Sequence, residues 1–192
     1  MRACRGGQGQ RWERLLHLTG AVSQGGRITE VNELVVEQVE WYDARAVALR
    51  QAMAVEMDER YSSHRSDDPE KRAAVDAALH IPTEKVLATV LVVDSEAHAV
   101  AHAVLRDLAG EWEVKRVIVD ASVRGRGVGR LLMNSLADIA RARGARRLIL
   151  QTGNRQPDAV ALYERLGYQS IPVYEPYIEA IPFSLCYELP LR

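Results

Sequence analysis

The stretch Val119–Leu132 reads VDASVRGRGVGRLL and sets three glycines and three arginines between an apolar run and a helix-spaced apolar run. Ahead of it, Val117, Ile118 and Val119 are the residue types of a buried strand. Behind it, Val128, Leu131, Leu132, Leu136, Ile139 and Ala140 recur at three- and four-residue steps, the mark of an amphipathic helix. Gly144 then stands where a left-handed C-cap belongs. Glycine lets main-chain amides turn outward and lets a ligand approach without meeting a Cβ. A helix start adds unpaired N–H groups and about half a positive charge. The junction therefore predicts a seat for an anionic group such as a phosphate, with Arg124, Arg126 and Arg130 adding charge around it. Arg130-Leu131 stands where a Walker loop needs Lys followed by Ser or Thr. The next strand ends in Gln151-Thr152, not in the acidic residue of a dinucleotide site.

Outward from this junction the chain reads as a mixed α/β domain. Upstream, LVVEQVEW alternates like a strand. Asp43 caps a helix to about Arg60 with Ala46, Leu49, Met53 and Met57 on one face, and Asp68-Pro69 opens a second helix ending at Leu79. KVLATVLVV, AHAVAHAVLRDL and EWEVKRVIV read as an antiparallel meander. Downstream, RRLILQT is a strand and Pro157 starts a short helix closed by Gly167. YQSIPVYEPY and PFSLCYELPL supply the last strands. Residues 1–30 read as a tail and 31–192 as one domain, a length that buries roughly two-thirds of its unfolded surface.

Charge is uneven. From Glu30 to Glu70 eleven acidic residues face four arginines, a balance of −7. From Val114 to Arg147 nine basic residues face two aspartates, a balance of +7. No run approaches the roughly 20 apolar residues of a membrane span, and the early patch LLHLTGAV is too short for a signal peptide. Cys4 and Cys186 form neither a disulfide framework nor a metal spacing, so the expected compartment is the cytoplasm, with no metal and no membrane partner. His98 and His102 would stand roughly 13 Å apart on a strand, which makes them structural. The arginines of RARGARR suit a helix end and lack interleaved aromatics, so no nucleic-acid partner is expected.

The segment VKRVIVDASVRGRGVGRLL resembles motif A of the GNAT acetyltransferase superfamily, with signature Q/R-x-x-G-x-G/A matched by Arg124, Gly127 and Gly129. QPDAVALYERLGY resembles the family's motif B, extending the likeness across roughly Leu34 to Leu191. The resemblance implies a mostly antiparallel sheet splayed between strands four and five, flanked by helices, with acetyl-coenzyme A in the splay. It implies that the backbone of Val117, Ile118 and Val119 pairs with the pantetheine arm. The loop Arg124, Gly125, Arg126, Gly127, Val128, Gly129 and Arg130 then holds the pyrophosphate, and an amine attacks the thioester directly while a strand-four N–H polarises the carbonyl. Gln156 stands where members often carry Asn, so cofactor contact there has altered geometry, and Asn154 is the alternative donor.

Tyr163 matches the motif B tyrosine and is the implied acid for the coenzyme A thiolate. A phenol near pKa 10 protonating a thiolate near 8.5 is uphill by only about 2 kcal/mol. Glu113 is the implied base, acting directly or through water, with a surface pairing to Lys115 as the competing role. The acidic helices and YEPYIEA suggest a cationic small-molecule amine as acceptor. A homodimer is one compatible assembly. A non-catalytic acyl-coenzyme A sensor of the same fold is the competing function, and Tyr163 together with a candidate base favours an enzyme.

Overall fold

The computed structural model describes residues 34–64 and 66–191. The expected tail at 1–30 lies outside the described residues, all of which belong to the unit Asn32–Arg192. In chain order the elements are β1 (Val35–Val39), α1 (Ala44–Tyr61), α2 (Pro69–Leu79), β2 (Val86–Val93), β3 (Ala99–Leu108) and β4 (Glu111–Val119). There follow α3 (Val128–Ala142), β5 (Arg147–Thr152), α4 (Pro157–Arg165), β6 (Gln169–Ile171), α5 (Tyr177–Ala180) and β7 (Leu185–Pro190). The strands form one sheet in the order β1-β2-β3-β4-β5-β7-β6. Every neighbouring pair is antiparallel except β4 with β5.

Local chemistry sets most boundaries. Asp43 accepts from the Arg45 amide to start α1, and Asp68 accepts from the Glu70 and Lys71 amides to start α2, with Pro69 in its first turn. Gly144 takes φ 82° just past α3. The helix α3 buries Val128, Leu132, Met133, Leu136, Ala137 and Ala140 against one sheet face, where Val90, Leu105, Val114 and Leu148 meet it. A smaller core forms on the opposite face, where Ala46 and Leu49 of α1 pack on Leu91, Val93 and Ile118.

One expected strand is corrected. Only Gln169–Ile171 of YQSIPVYEPY pairs in the sheet, and the chain then turns through Pro172 and a cis Glu175–Pro176 bond into the single-turn helix α5. Proline has no N–H to give a ladder, and Tyr177 gains full burial by leaving it.

His102 is fully buried on the α1 face. Its Nδ1 lies 3.1 Å from the Val90 carbonyl and its Nε2 lies 3.3 Å from the Arg50 guanidinium. An arginine can only donate, so Nε2 accepts and Nδ1 carries the proton. Burial first, then Arg50 and Arg116, holds the ring's pKa down to about 4. Below the ordinary value of 6.5 the unfolded imidazole binds a proton that the folded one refuses. Stability is therefore expected to fall as pH drops from about 6.5 toward 4. Urea unfolding at pH 7 and pH 4.5 checks this: the acid loss should shrink in His102→Gln, and an unchanged loss would contradict it. His98 sits exposed beside Asp94 and Glu96.

Candidate active site

The parallel pairing of β4 with β5 covers only Trp112 with Leu148, Glu113 with Ile149 and Val114 with Leu150. Beyond Val114, β4 runs on to Val119 without its β5 partner. A cleft of about 680 Å³ is lined there by Val117, Ile118 and Val119, by the glycine loop, by the start of α4 and by Met53 and Met57 of α1. Met57, expected on the packed face of α1, thus faces the cleft.

The glycine loop takes a shape that side chains resist. Gly125 and Gly127 have φ of 78° and 83°, and Gly127 opens α3 with no side chain capping the helix. The first-turn amides of Val128, Gly129 and Arg130 therefore have no intrahelical acceptors, and all three residues line the cleft. Gly129 serves packing instead: a Cβ there would stand 3.0 Å from Leu162 Cδ2 of α4, so a larger residue would have to displace that side chain. Arg124 lines the cleft but donates to the Val119 carbonyl at 3.0 Å and to Glu56 Oε2 at 2.7 Å. Arg130 and Gln156 line the cleft, while Arg126 is exposed and outside its lining. At the end of β5, a Cβ on Gly153 would collide with the Tyr61 hydroxyl.

Tyr163 reaches the cleft from α4 and is otherwise buried, its ring 5.8 Å from that of Tyr168 and 6.2 Å from that of Tyr187. Burial pushes its phenol well above the ordinary value, so it stays protonated across the neutral range. Proton transfer to a thiolate is then more uphill than free-solution values imply.

Glu113 lies on the other side of β4, fully buried. Arg106 Nε donates to its Oε2, and the hydroxyls of Tyr174 and Tyr177 donate to its Oε1 at 2.9 and 2.8 Å. Its ion-pair partner is thus Arg106, directly across the β3–β4 register, and not Lys115. Lys115 joins the network through Tyr177, donating to its hydroxyl at 2.8 Å and to Gln151 Oε1 at 3.3 Å. Burial brings the Lys115 ammonium down to about 8, with Glu113 opposing that shift.

A β-bulge gathers these groups. Between the pairs His102–Ile118 and Val104–Lys115, one β3 residue faces two of β4, and Arg116 takes φ 57°. Lys115 and Arg116 consequently share the α1 and α2 face of the sheet with Glu113, Arg106 and His102. No sequence signal marked Arg106, Tyr174, Tyr177 or Lys115 as parts of one cluster.

Removing the carboxylate strands two buried cations. Glu113→Ala is expected to lose roughly 3 kcal/mol or more, a fall in Tm on the order of 10 °C. Thermal melting checks it, and a change within about 2 °C would contradict the buried network.

The family model of the acetyltransferase (GNAT) family matches residues 47–168. An IAA acetyltransferase of Azospirillum brasilense is 40% identical over 82 residues, covering 43% of this chain and 53% of that protein. A streptothricin acetyltransferase of Streptomyces lavendulae is 40% identical over 73 residues, 32% of this chain and 39% of its own. The chain thus spans about half or less of these relatives. Among solved structures, a chain from Klebsiella pneumoniae assigned as an acyl-CoA N-acyltransferase superposes with TM-score 0.66 at 28% identity, covering 83% of this chain and 98% of that one. A GNAT-family acetyltransferase from Staphylococcus aureus gives TM-score 0.61 at 13% identity, with 83% and 99% covered, which speaks to the fold.

Proposed function

The chain belongs to the acetyltransferase (GNAT) family, and from that premise we propose that residues 31–192 form one domain that transfers an acetyl group from acetyl-coenzyme A to a primary amine. The observation that carries this is the left-handed pair Gly125 and Gly127 at the uncapped start of α3, opening into the cleft where β4 loses β5. Those first-turn amides and the helix dipole suit a diphosphate. The cleft-lining backbone of Val117, Ile118 and Val119 offers ladder groups to the amides of a pantetheine arm. Gln156, uncapping and at the start of α4, supplies a side-chain amide to the same arm.

The reaction is direct. The neutral amine attacks the thioester carbon, a β4 N–H beside the bulge stabilises the oxyanion, and the C–S bond breaks. Tyr163 gives its proton to the departing thiolate. The ammonium form of the acceptor must first lose a proton, and Glu113, whose carboxylate Arg106, Tyr174 and Tyr177 hold in place, is the base we propose for it, acting through water. No step calls on a metal, and the compartment we propose is the cytoplasm, where the buried Cys186 stays a thiol. No helix among the described residues is long and apolar enough to cross a membrane.

The acidic balance of the early helices suggested a cationic acceptor, but Glu56 is spent on Arg60 at 2.6 Å and on Arg124 at 2.7 Å. The remaining acidic side chains of that run are what support a cationic amine as acceptor.

Thiol release from acetyl-coenzyme A across a panel of amines tests the reading. At least one amine should be acetylated with stoichiometric thiol. Tight coenzyme A binding with no acetylated product from any amine would favour a binding module instead.

A further inference from the structure

The sheet face beneath α1 and α2 carries four cations and one carboxylate in a single cluster. The cations are Arg50 of α1, Arg106 of β3, and Lys115 and Arg116 of β4. The carboxylate is Glu113, which Arg106 takes. Arg50 donates to the Trp41 carbonyl at 2.6 Å and to His102 at 3.3 Å, and lies 3.9 Å over the Trp41 ring. Arg116 donates to the Leu79 carbonyl at 3.3 Å. Among the described residues neither has a carboxylate within ion-pair distance.

Such a cluster is costly without a counterion. Burial disfavours the charged form of both arginines, and each also feels a neighbouring cation, Arg116 beside Arg50 and Arg106 beside Arg116. The C-terminal end of α2 offsets part of this, since Leu79 and His80 carbonyls accept from Arg116 and Arg106 and a helix end carries about half a negative charge. That partial charge does not balance an excess of three.

Arg50 stands one helical turn before Met53, and Arg116 one residue before Val117; Met53 and Val117 line the cleft, and the two arginines stand just outside that lining. The bulge turns Arg116 to the α1 face, beside the cluster that would handle the acceptor's proton. Arg116 commits one of its five N–H donors to the protein, which leaves a fork suited to an oxyanion.

Resting on the acetyltransferase reading above, we infer that the acceptor amine carries a small oxyanion, a carboxylate or phosphoryl group, and that Arg116 and Arg50 receive it. A polyamine or unsubstituted alkylamine would leave both arginines unanswered and add a further cation.

Matched amine pairs test this with the full chain. Lysine against cadaverine, and phosphoethanolamine against ethanolamine, should show kcat/KM at least about tenfold higher for the member with the oxyanion. The carboxylate and phosphate pairs separate the two sources. Arg116→Gln and Arg50→Gln should each erase most of that advantage, chiefly through KM, while Arg116→Lys keeps part of it. Cadaverine and ethanolamine turning over better, or ratios untouched in folded variants, would overturn the inference. If no amine reacts, the acetyltransferase reading fails and the anion site is judged alone. Inorganic phosphate should then raise Tm in a manner lost in Arg50→Gln or Arg116→Gln and kept in Arg130→Gln. Protection that is absent, or that survives in Arg50→Gln and Arg116→Gln, overturns it.

Discussion

Gly127→Val is expected to weaken acetyl-coenzyme A binding by at least about 100-fold while the fold survives. The position holds φ 83°, where a side chain costs on the order of 1–2 kcal/mol and a β-branched one more. The chain can relieve that strain by rotating the peptide, which turns away the amides that open α3. A Cβ at this glycine meets nothing within 4 Å, so crowding inside the protein is not the cause. The added methyls would occupy open space where a diphosphate must approach. Tm should fall by only a few degrees. Gly144 provides the control, since it has φ 82° and equally open surroundings at the far end of α3. Gly144→Val should cost a similar amount of stability and leave affinity within about twofold. Calorimetric titration with coenzyme A, paired with thermal melts, reads both. Equal losses of affinity in the two variants would assign the effect to general destabilisation.

Tyr163→Phe should lower kcat by roughly 100-fold with little change in the KM for acetyl-coenzyme A. Only a hydroxyl is removed, and the ring keeps its packing against Tyr168 and Tyr187, so the melting temperature should hardly move. Because burial lifts this phenol well above its ordinary range, Tyr163 should impose no fall in kcat as pH approaches 10. Steady-state thiol release from pH 7 to pH 10 measures both. A variant as fast as the wild type would remove the tyrosine from proton transfer and leave it a packing residue.

What the sequence made legible was local. The caps at Asp43 and Asp68, the left-handed glycines and the helix-spaced apolar residues of α3 each act within a few residues, and the structure has them at the expected positions. The cleft-side residues Val117, Ile118, Val119, Arg130, Gln156 and Tyr163 come together because motif spacing and fold are tightly linked. What was not legible depends on distant pairings. Glu113 meets Arg106 across a hairpin, and meets Tyr174 and Tyr177 from 61 and 64 residues further on. EWEVKRVIV alternates without any sign that Arg116 begins a bulge, so the side chains sharing a face after Val114 could not be assigned. The charge run from Glu30 to Glu70 was plain to count, whereas the engagement of Glu56 by Arg60 and Arg124 required the fold. YQSIPVYEPY reads as a strand, whereas Pro172 and Pro176 follow the three residues that pair and the chain leaves the sheet after Ile171.

Everything functional follows from one seat for a diphosphate at the start of α3. A crystal structure with coenzyme A bound measures this directly. The diphosphate oxygens should lie about 3 Å from main-chain nitrogens between Gly125 and Arg130, with the pantetheine arm running beside Val117–Val119. Density for the cofactor on any other surface, or a pyrophosphate held by side chains alone, would contradict the account.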